Sequence, residues 1–547
     1  MIRLTELKLP LDHAEDALPA LLAKTLGIAA GDIAAHSIYK RSYDARKQKL
    51  LLVYIVDVEL RQSALEARLL EAFKTHPQVR PASDQNYYPV ARLNVAPPVR
   101  PVVVGFGPCG IFAALLLAQM GFKPIVLERG KKVRERTTDT WGLWRKGVLD
   151  PESNVQFGEG GAGTFSDGKL WSQIKDPRHL GRKVMQEFVK AGAPAEILLV
   201  SKPHIGTFKL VKVVEHMREQ IIALGGEVRF QQRVSDVLIE KGHLRGLTVQ
   251  NLSDNSTYEL RADHVLLALG HSARDTFAML HARGVYMEAK PFSIGFRIEH
   301  PQGLIDRARL GQHAGHPLLG AADYKLVHHA ENGEGKGRSV YSFCMCPGGT
   351  VVAATSEEGR VVTNGMSQYS RNERNANAGI VVGITPADYP GGPLAGIEFQ
   401  RRLESHAFML GGSNYEAPGQ LVGDFVAGKS STQIGSVEPS YKPGVLMTNL
   451  ATALPSYAIA AMREAIPAFG KKICGFDMHD AVLTGVETRT SSPLRMTRGD
   501  DFQSLNVRGL YPAGEGASYA GGILSAGVDG IEVAEAVARS ITNQETP

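Results

Sequence analysis

Hydrophobic and polar residues follow regular patterns over the first part of the chain. The stretch IRLTELKLPL alternates as a strand does, HAEDALPALLAKTLGI has helical spacing, and HSIYKRSYDARKQK suits a strand and a turn. LLLVYIVDVEL is strongly strand-like, and SALEARLLEAFKTH is amphipathic. This β-α-β-β-α order predicts a ferredoxin-like α+β domain over residues 1–95. The domain ends at VAPPVRP, whose prolines form a stiff linker.

After the linker, short apolar strands alternate with glycines and helices. Residues 101–105 and 124–128 predict strands on either side of a helix at 108–120, which is a βαβ arm. A long amphipathic helix, KLVKVVEHMREQIIALGG, precedes a small antiparallel meander and the buried strand of DHVLLALG. The segment YPAGEGASYAGGILSAG leads from a strand through a glycine loop into a helix. We predict an α/β domain built from residues 96–275 and 480–547, with residues 276–479 inserted as a mixed α+β domain.

The first glycine turn has the G-x-G-x-x-G spacing of a dinucleotide-binding loop. Gly105 permits the tight turn, Gly107 lets a pyrophosphate approach the backbone, and Gly110 lets helix and strand pack closely. The helix N-terminus offers unpaired N–H groups to the phosphates. Glu128 ends the next strand, where it can accept hydrogen bonds from ribose hydroxyls and disfavours a 2′-phosphate. The motif alone fits NAD and FAD equally, and is weak without its strand and helix context.

The distribution of the strand-then-glycine signals favours FAD over NAD. They occur at 101–110, 264–270 and 509–516, separated by large insertions, whereas a dehydrogenase Rossmann domain usually completes itself in one stretch. No second nucleotide fingerprint is found, which indicates one bound dinucleotide and no dedicated pyridine-nucleotide domain.

Composition and charge indicate what kind of protein this is and where it is located. The 547 residues are 43% hydrophobic and 21% charged, which is ordinary for a globular protein. The net charge of +5 is small and gives no strong reason to expect nucleic acid or a membrane surface as a partner. No apolar run nears the roughly 20 residues that a membrane helix needs. Four cysteines argue for a reducing compartment, so we expect a cytoplasmic protein without a signal peptide.

Several motifs together resemble the FAD-dependent oxidoreductases with the glutathione-reductase-type FAD fold, and among them an uncharacterised bacterial FAD-dependent dehydrogenase family. The motifs are GFGPCG, VLERG, FGEGGAGTFSDGKL, DHVLLALGHSARD, FCMCPGG, NGMS, VETRTSSP and YPAGEGASYAGGILSAGVDG. The resemblance covers the chain from about residue 100 onward. It implies a FAD-binding Rossmann-like domain and an inserted substrate or cap domain, besides the N-terminal ferredoxin-like domain.

The resemblance also implies how the cofactor is held. The loop after DHVLLALG passes close to it, and Glu515 lies near the ribityl chain or the phosphates. The helix around Ser525 points its N-terminus at the flavin N1–C2=O edge, where its dipole favours the reduced form. The predicted cofactor-binding set is Gly105, Gly107, Pro108, Cys109, Gly110, Glu128, Arg129, Gly160, Gly161, Gly163, Thr164, Gly270, Gly514, Glu515, Gly522 and Ile523.

The loop at residues 157–170 is the first candidate for chemistry. It contains five glycines, which allow close approach to a cofactor, while Thr164 and Ser166 can donate hydrogen bonds. Lys169 can counter negative charge on the flavin or on a substrate. The alternative is a surface glycine loop with a solvated lysine.

His204 and Arg489 join Lys169 as candidate catalytic residues lining a substrate cavity. Histidine is a general acid or base near neutral pH, and arginine suits an acidic substrate. Arg297, Glu299 and His300 are weaker candidates for the same cavity, and an isolated histidine is more often structural.

The cysteines give two further interpretations. Cys109 lies at a helix N-terminus that would lower its pKa, but we favour a space-filling role beneath the phosphates. Cys344 and Cys346 form a C-x-C pair that can exchange electrons with a flavin, although core packing in a strand is the favoured explanation. The histidine and cysteine spacing suggests no metal site.

Three functions remain open. The favoured one is a FAD-dependent dehydrogenase or reductase acting on a small organic molecule, to which NADH or NADPH would come only transiently as electron donor. The second is a flavin-dependent tRNA-modifying protein, targeted by the basic cluster Lys40, Arg41, Arg46, Lys47 and Lys49, although a solvated turn is the favoured explanation of that cluster. The third is a non-catalytic flavin sensor. Oligomeric state is not predicted.

Overall fold

The N-terminal unit is a four-stranded antiparallel sheet packed against two helices, in a computed structural model that describes residues 1–44 and 50–542. The strands lie in the order β2-β3-β1-β4, which is that of a ferredoxin-like unit. Alternate residues of β3 are buried against both helices, as the period of its sequence requires. The elements are β1 (Ile2–Pro10), α1 (Ala17–Leu26), β2 (Ile33–Asp44), β3 (Leu51–Leu60), α2 (Ser63–Ala72) and β4 (Val79–Pro81).

The second unit is built around parallel strands with helices on one face and a meander on the other. Up to the start of the inserted region its elements are β5 (Val102–Val104), α3 (Pro108–Gln119), β6 (Ile125–Glu128), α4 (Val133–Lys146), α5 (Leu180–Lys190), α6 (Thr207–Ala223), β7 (Glu227–Phe230), β8 (Gln232–Glu240), β9 (His243–Asn251), β10 (Thr257–Arg261), β11 (Val265–Leu267) and α7 (Arg274–Ala282).

The third unit contains a large mixed sheet. Its elements are β12 (Glu288–Ala289), β13 (Phe292–Pro301), α8 (Gln302–Leu310), β14 (Val327–His329), β15 (Ser339–Ala353), β16 (Thr363–Ser367), β17 (Asn375–Ile384), α9 (Ala395–Leu410), β18 (Ala417–Leu421), α10 (Val422–Ala427), β19 (Val445–Met447), α11 (Ser456–Gly470), β20 (Val482–Glu487) and β21 (Leu494–Arg495). The chain then returns to the second unit with β22 (Leu510–Pro512) and α12 (Ile523–Thr542).

The sheet of the second unit joins segments that lie far apart in the chain. Its order is β22-β11-β5-β6-β7, and every neighbouring pair is parallel. Val103 packs into the core shared with α3 and α12, whereas Val102 and Val104 face the core of the β8–β10 meander. The strands are apolar throughout because both faces are covered. Their carboxyl ends meet at one edge, where the glycine turns begin.

The third unit extends further than its sequence pattern indicates. Its eight-stranded sheet runs β14-β15-β17-β13-β20-β18-β19, with β16 paired to β15. The predicted boundary at residue 479 falls just before β20, which lies between β13 and β18 inside this sheet. The inserted unit therefore includes β20, whereas β21 pairs with β12 in a separate two-stranded sheet. Short strands near a boundary carry no local signal that assigns them to one sheet or another.

The described chain has two further features that bear on its partners. No helix among these residues is both long and apolar enough to cross a bilayer. Of the predicted basic cluster, Lys40 and Arg41 lie on β2, and the backbone of Arg41 is hydrogen-bonded to Leu199 and Ser201 of the second unit. Arg46, Lys47 and Lys49 lie outside the described residues. The cytoplasmic location and the tRNA-modifying alternative stay predictions.

Candidate cofactor-binding site

A cavity of about 740 Å³ lies at the carboxyl ends of the parallel strands, between the second and third units. Ligand sites of open α/β sheets occupy this edge, and the volume is ordinary for a cofactor cavity. The cavity lining includes the predicted residues Gly105, Gly107, Pro108, Cys109, Glu128, Arg129, Gly161, Gly163, Lys169, Gly270, Arg489, Gly514, Glu515, Gly522 and Ile523. The structure thus brings together turns that are separated by hundreds of residues in the chain.

The first glycine turn is shaped by close backbone packing. Gly105 has φ +99°, and a Cβ there would lie 2.3 Å from the Ala268 carbonyl oxygen. A Cβ on Gly110 would lie 1.9 Å from the carbonyl oxygen of Gly105, so α3 packs directly on β5. At Gly107, by contrast, the nearest atom to an added Cβ is Gly161 Cα, at 3.6 Å. Gly107 and Gly161 therefore face each other at the cavity surface, beside an α3 N-terminus that no side chain caps.

Glu128 holds the turns together as well as lining the cavity. Its Oε2 accepts a hydrogen bond from Phe106 N at 2.8 Å. Its Oε1 accepts from Gly130 N at 2.8 Å and from Gly158 N at 2.9 Å. A carboxylate accepts about four hydrogen bonds, so roughly one acceptor position remains for a ligand hydroxyl.

The loop at residues 157–170 is held rigidly by a buried arginine that the sequence did not reveal. Arg136, on α4, is fully buried and donates to the carbonyls of Asn154, Val155 and Glu159, each at 2.7 Å. Burial lowers the pKa of Arg136 to about 10. Arg136 therefore anchors residues 154–159, where this loop begins.

Three predicted cofactor-binding residues lie beneath the cavity lining. Gly110 faces the backbone of β5 and its turn. The amide of Gly160 donates to the carbonyl of Phe106 at 2.8 Å. Thr164 is buried, and its hydroxyl has no hydrogen-bond partner. These residues support the turns from below and do not reach a ligand in the cavity.

Cys109 is a buried filler in this region. Burial raises its pKa, which opposes the effect expected from the helix N-terminus. A Cβ on Gly514 would lie 3.0 Å from the Cβ of Cys109, so the thiol fills the space between α3 and the loop after β22. This agrees with the space-filling interpretation.

At the other end of the cavity, the Lys169 ammonium is oriented by fixed partners. It donates to the carbonyl of Met345 and lies 3.0 Å from Asp167 Oδ2. Asp167 is in turn paired with Arg371 through two hydrogen bonds. Lys169 therefore presents a positive charge in the cavity wall, held from two sides.

His204 is not brought to the cavity, although its backbone forms an isolated bridge with that of Lys169. Its ring stacks on Tyr369, and its Nε2 lies 2.9 Å from the Tyr369 carbonyl oxygen. Burial lowers the pKa of His204 to about 4. A neutral, stacked and hydrogen-bonded ring outside the lining has a structural role, so His204 leaves the candidate catalytic set.

Arg489 borders the cavity, but its donors are already occupied. The guanidinium donates to Ser272 at 3.1 Å, to Ser356 at 2.7 Å, and to both carboxylate oxygens of Glu404. Burial and the neighbouring Arg274 lower the pKa of Arg489. Arg274 shares Glu404 with it at 2.7 Å, so Arg489 belongs to a buried ion network that joins α7, α9 and the segment after β20. The weaker candidates Arg297, Glu299 and His300 are also buried and hydrogen-bonded, and none is part of the lining.

Two titratable groups stand side by side on the cavity floor. His271 Nε2 lies 4.0 Å from Oε1 of Glu515. Burial raises the pKa of Glu515 to about 7 and lowers the pKa of His271 to about 3. At neutral pH the histidine is uncharged, and the carboxyl is close to its midpoint.

Most of the wall that the third unit contributes was not predicted. It includes Tyr324, Tyr341, Phe343, Asn364 and Glu487, together with Cys344, which the C-x-C motif had indicated. They lie on or beside β14, β15, β16 and β20, and nothing in their local patterns distinguishes a cavity face from a core face. Among the described residues, no group of three or more His, Cys, Asp or Glu side chains could hold a metal ion.

Comparisons with known proteins identify a matching family model and a full-length relative. Residues 291–490 match the family model described as "FAD-dependent protein, C-terminal domain-like", and residues 1–59 match a domain of unknown function. An uncharacterized protein of Clostridium beijerinckii is 48% identical over 551 residues, which is 98% of either chain.

Solved structures resemble the chain only distantly. Glycerol-3-phosphate dehydrogenase from Bacillus halodurans, complexed with FAD, is 11% identical, with a TM-score of 0.36 over 82% of this chain and 66% of that one. Glycine oxidase from Bacillus cereus is 11% identical, with a TM-score of 0.30 over 82% of this chain and 96% of that one. Scores this low carry no argument about substrate. The full-length relative instead shows that the chain belongs to the family of the C. beijerinckii protein, and residues 291–490 match the FAD-dependent C-terminal domain model.

Proposed function

We propose that the protein is a FAD-dependent oxidoreductase that binds one FAD along the cavity and transfers two electrons to or from a small organic substrate. The observation that carries the proposal is the convergence of the glycine turns at Gly105–Gly110, Gly270 and Gly514–Gly522 on one cavity. The strands of the Rossmann-like sheet come from residues between 102 and 512, and the carboxyl edge of such a sheet suits a single extended ligand.

The residues at one end of the cavity fit the adenosine and pyrophosphate of FAD. Glu128 keeps a free acceptor position for a ribose hydroxyl, and its negative charge opposes a 2′-phosphate. Gly107 and Gly161 leave the backbone bare at the surface, where the α3 N-terminus supplies N–H donors and a partial positive charge. Arg129 lies against the ring of Phe157 and is paired with Glu152 and Asp275, so its position is fixed.

The other end fits a flavin ring. The helix α12 begins at Ile523, and no atom lies within 4 Å of a Cβ added to Gly521 or Gly522. The bare backbone before this helix and its partial positive charge suit the pyrimidine edge of the ring. When bound, FAD supplies the two-electron chemistry. The chain orients the ring, excludes water, and places the Lys169 charge beside it.

The substrate would occupy the space between the ring and the wall of the third unit. Lys169 is the candidate catalytic residue, because its ammonium is held by Asp167 and the Met345 carbonyl and still lines the cavity. Arg489 acts as a positioning residue, because its donors are bound to Glu404 and two serines. Glu515, with its pKa near 7, is placed to hold or release a proton near the ring.

Nucleotide analysis of the purified protein tests the proposal. We expect a yellow protein that releases FAD on denaturation, identified by mass and absorbance against FMN and NAD. A colourless protein that takes up no added FAD would refute the cofactor assignment. Anaerobic mixing with NADH and NADPH then shows whether a nicotinamide donates electrons: bleaching supports a transient donor, and an unchanged flavin points to reduction by the substrate itself.

A further inference from the structure

Two cysteines of β15 lie at the point where the third unit meets the cavity. Cys344 is partly exposed and lines the cavity, whereas Cys346 is fully buried behind it. The pairing of β15 with β17 shifts register between Phe343 and Cys346 and again between Cys346 and Gly349. The C-x-C segment is therefore a double irregularity in an otherwise regular strand.

The backbone at Cys344 is strained in a way that serves this arrangement. Its φ is +43°, a left-handed conformation that non-glycine residues rarely adopt. In a regular strand, side chains two residues apart project side by side from one face. Here the turn at Cys344 lets the Cys346 thiol donate to the Cys344 carbonyl oxygen at 3.3 Å, which holds the Cys346 sulfur beside Cys344.

Two cations surround the pair. Lys169 donates to the carbonyl of Met345, the residue between the cysteines. Arg297 donates to the carbonyl of Cys344 at 2.8 Å while paired with Glu487. The Cys346 thiol, together with Lys169 and Arg297, lowers the pKa of Cys344 despite its burial. Thiolate character combined with access to a cavity characterises reactive cysteines and separates them from inert core thiols.

We propose that Cys344 and Cys346 are a redox-active dithiol that closes to a disulfide in the wall of the cavity. Closure breaks two S–H bonds, forms one S–S bond, and releases two electrons and two protons. The inference rests on the proposed function in one respect, because FAD in the cavity is the acceptor that takes up both electrons and both protons. The pair thereby acts as a two-electron store in the wall of the cavity.

Thiol mapping of the full-length holoprotein tests the pair directly. Flavin content is first measured by absorbance. The protein is then equilibrated anaerobically with glutathione buffers of increasing oxidised fraction, quenched with acid, blocked with N-ethylmaleimide and digested with trypsin. The tryptic peptide 339–360 contains both cysteines and no other. We expect it to change from doubly blocked to unblocked, with a mass about 2 Da below that of the free dithiol peptide because two hydrogens are lost on closure.

Two outcomes would overturn the inference. One is a peptide that remains doubly blocked at every ratio in a flavin-loaded protein, and the other is a peptide that only acquires glutathione at one cysteine. Because flavin content is scored separately, either result leaves the proposed function intact. A colourless protein with a closed disulfide would instead refute the proposed function and the role of FAD as acceptor, and would leave the redox-active pair standing. Cys346→Ser and Cys344→Ser must both abolish closure. Cys474→Ser, which removes an exposed cysteine, must leave it unchanged.

The rate of alkylation tests the role of the cations. In the Cys346→Ser background we expect Lys169→Met to slow the reaction of Cys344 with iodoacetamide at pH 7, by about threefold for each unit by which its pKa rises above 7. Lys169→Arg keeps the charge and should retain the rate. Equal rates in all three proteins would contradict the electrostatic activation of Cys344.

Discussion

Replacing Gly107 with alanine should weaken FAD binding without affecting the folded apoprotein. Gly107 has φ −80° and ψ −173°, an extended conformation that any residue adopts. An added Cβ would lie 3.6 Å from Gly161 Cα, which is ordinary van der Waals contact. The free energy of unfolding of the apoprotein should therefore change by less than about 0.5 kcal/mol.

The cost should appear in cofactor affinity. The new methyl group stands between the two facing glycine turns, where we place the pyrophosphate. Loss of one hydrogen bond from a backbone N–H to a charged phosphate costs about 1.5–3 kcal/mol. The Kd for FAD should rise by about 10- to 150-fold.

Fluorescence titration of the apoprotein with FAD measures this Kd, and thermal unfolding of the same samples measures stability. Gly392→Ala is the matched control, because Gly392 is exposed, lies outside the cavity lining, and would have no atom within 4 Å of its Cβ. A Gly107→Ala protein that binds FAD within twofold of the control would refute the placement of the pyrophosphate. A lower melting temperature for the apoprotein would refute the packing argument.

Three further changes test the rest of the site. Arg136→Met leaves three buried carbonyls without donors, so the free energy of unfolding measured in urea should fall by about 3–5 kcal/mol. Arg136→Lys should recover part of this loss. A loss below about 1 kcal/mol would contradict the role of Arg136 in supporting the loop. Burial raises the pKa of Glu515 from 4.5 to about 7, so its contribution to stability is complete below the unfolded pKa and is lost as pH rises through 7. Between about pH 4 and 8, the melting temperature of the apoprotein should thus fall less in Glu515→Gln than in the wild type. Parallel pH profiles for the two proteins would refute the raised pKa of Glu515. His204→Phe keeps the stack on Tyr369 and should bind FAD within twofold of wild type; a tenfold loss in the same titration would place His204 at the cofactor.

The part of the site that could be predicted is the part whose chemistry is local in sequence. The roles of Gly105, Gly107 and Gly110 can be predicted from their spacing. A tight backbone turn, or the close approach of a ligand or a helix to the backbone, requires a residue without a side chain. The distance between the three glycine turns was itself a signal, since it separated an interrupted FAD domain from a continuous NAD domain. The alternation of apolar and polar residues in β3 likewise predicts which of its side chains are buried.

Roles set by distant partners could not be predicted. Nothing around Arg136 in the sequence indicates that its guanidinium binds carbonyls of residues 154–159. His204 and Lys169 looked equivalent as polar residues near glycines, yet only one lines the cavity. The position of β20 inside the eight-stranded sheet depends on pairing with β13 and β18, which no six-residue pattern specifies. The sequence pattern predicts a regular strand at Cys344, and the bulges there arise from the pairing of β15 with β17.

The packing of α12 on α3 sets an order of events in biosynthesis. A Cβ on Gly530 would lie 2.3 Å from the carbonyl oxygen of Cys109, so the two helices touch backbone to backbone directly behind the first glycine turn. A nascent chain emerging from the ribosome can form β5 and α3 early, yet that turn stays without its neighbour until residues 510–542 have been translated. If the proposed FAD binds here, we expect its uptake to follow translation, and a chain that ends before residue 510 should not retain it.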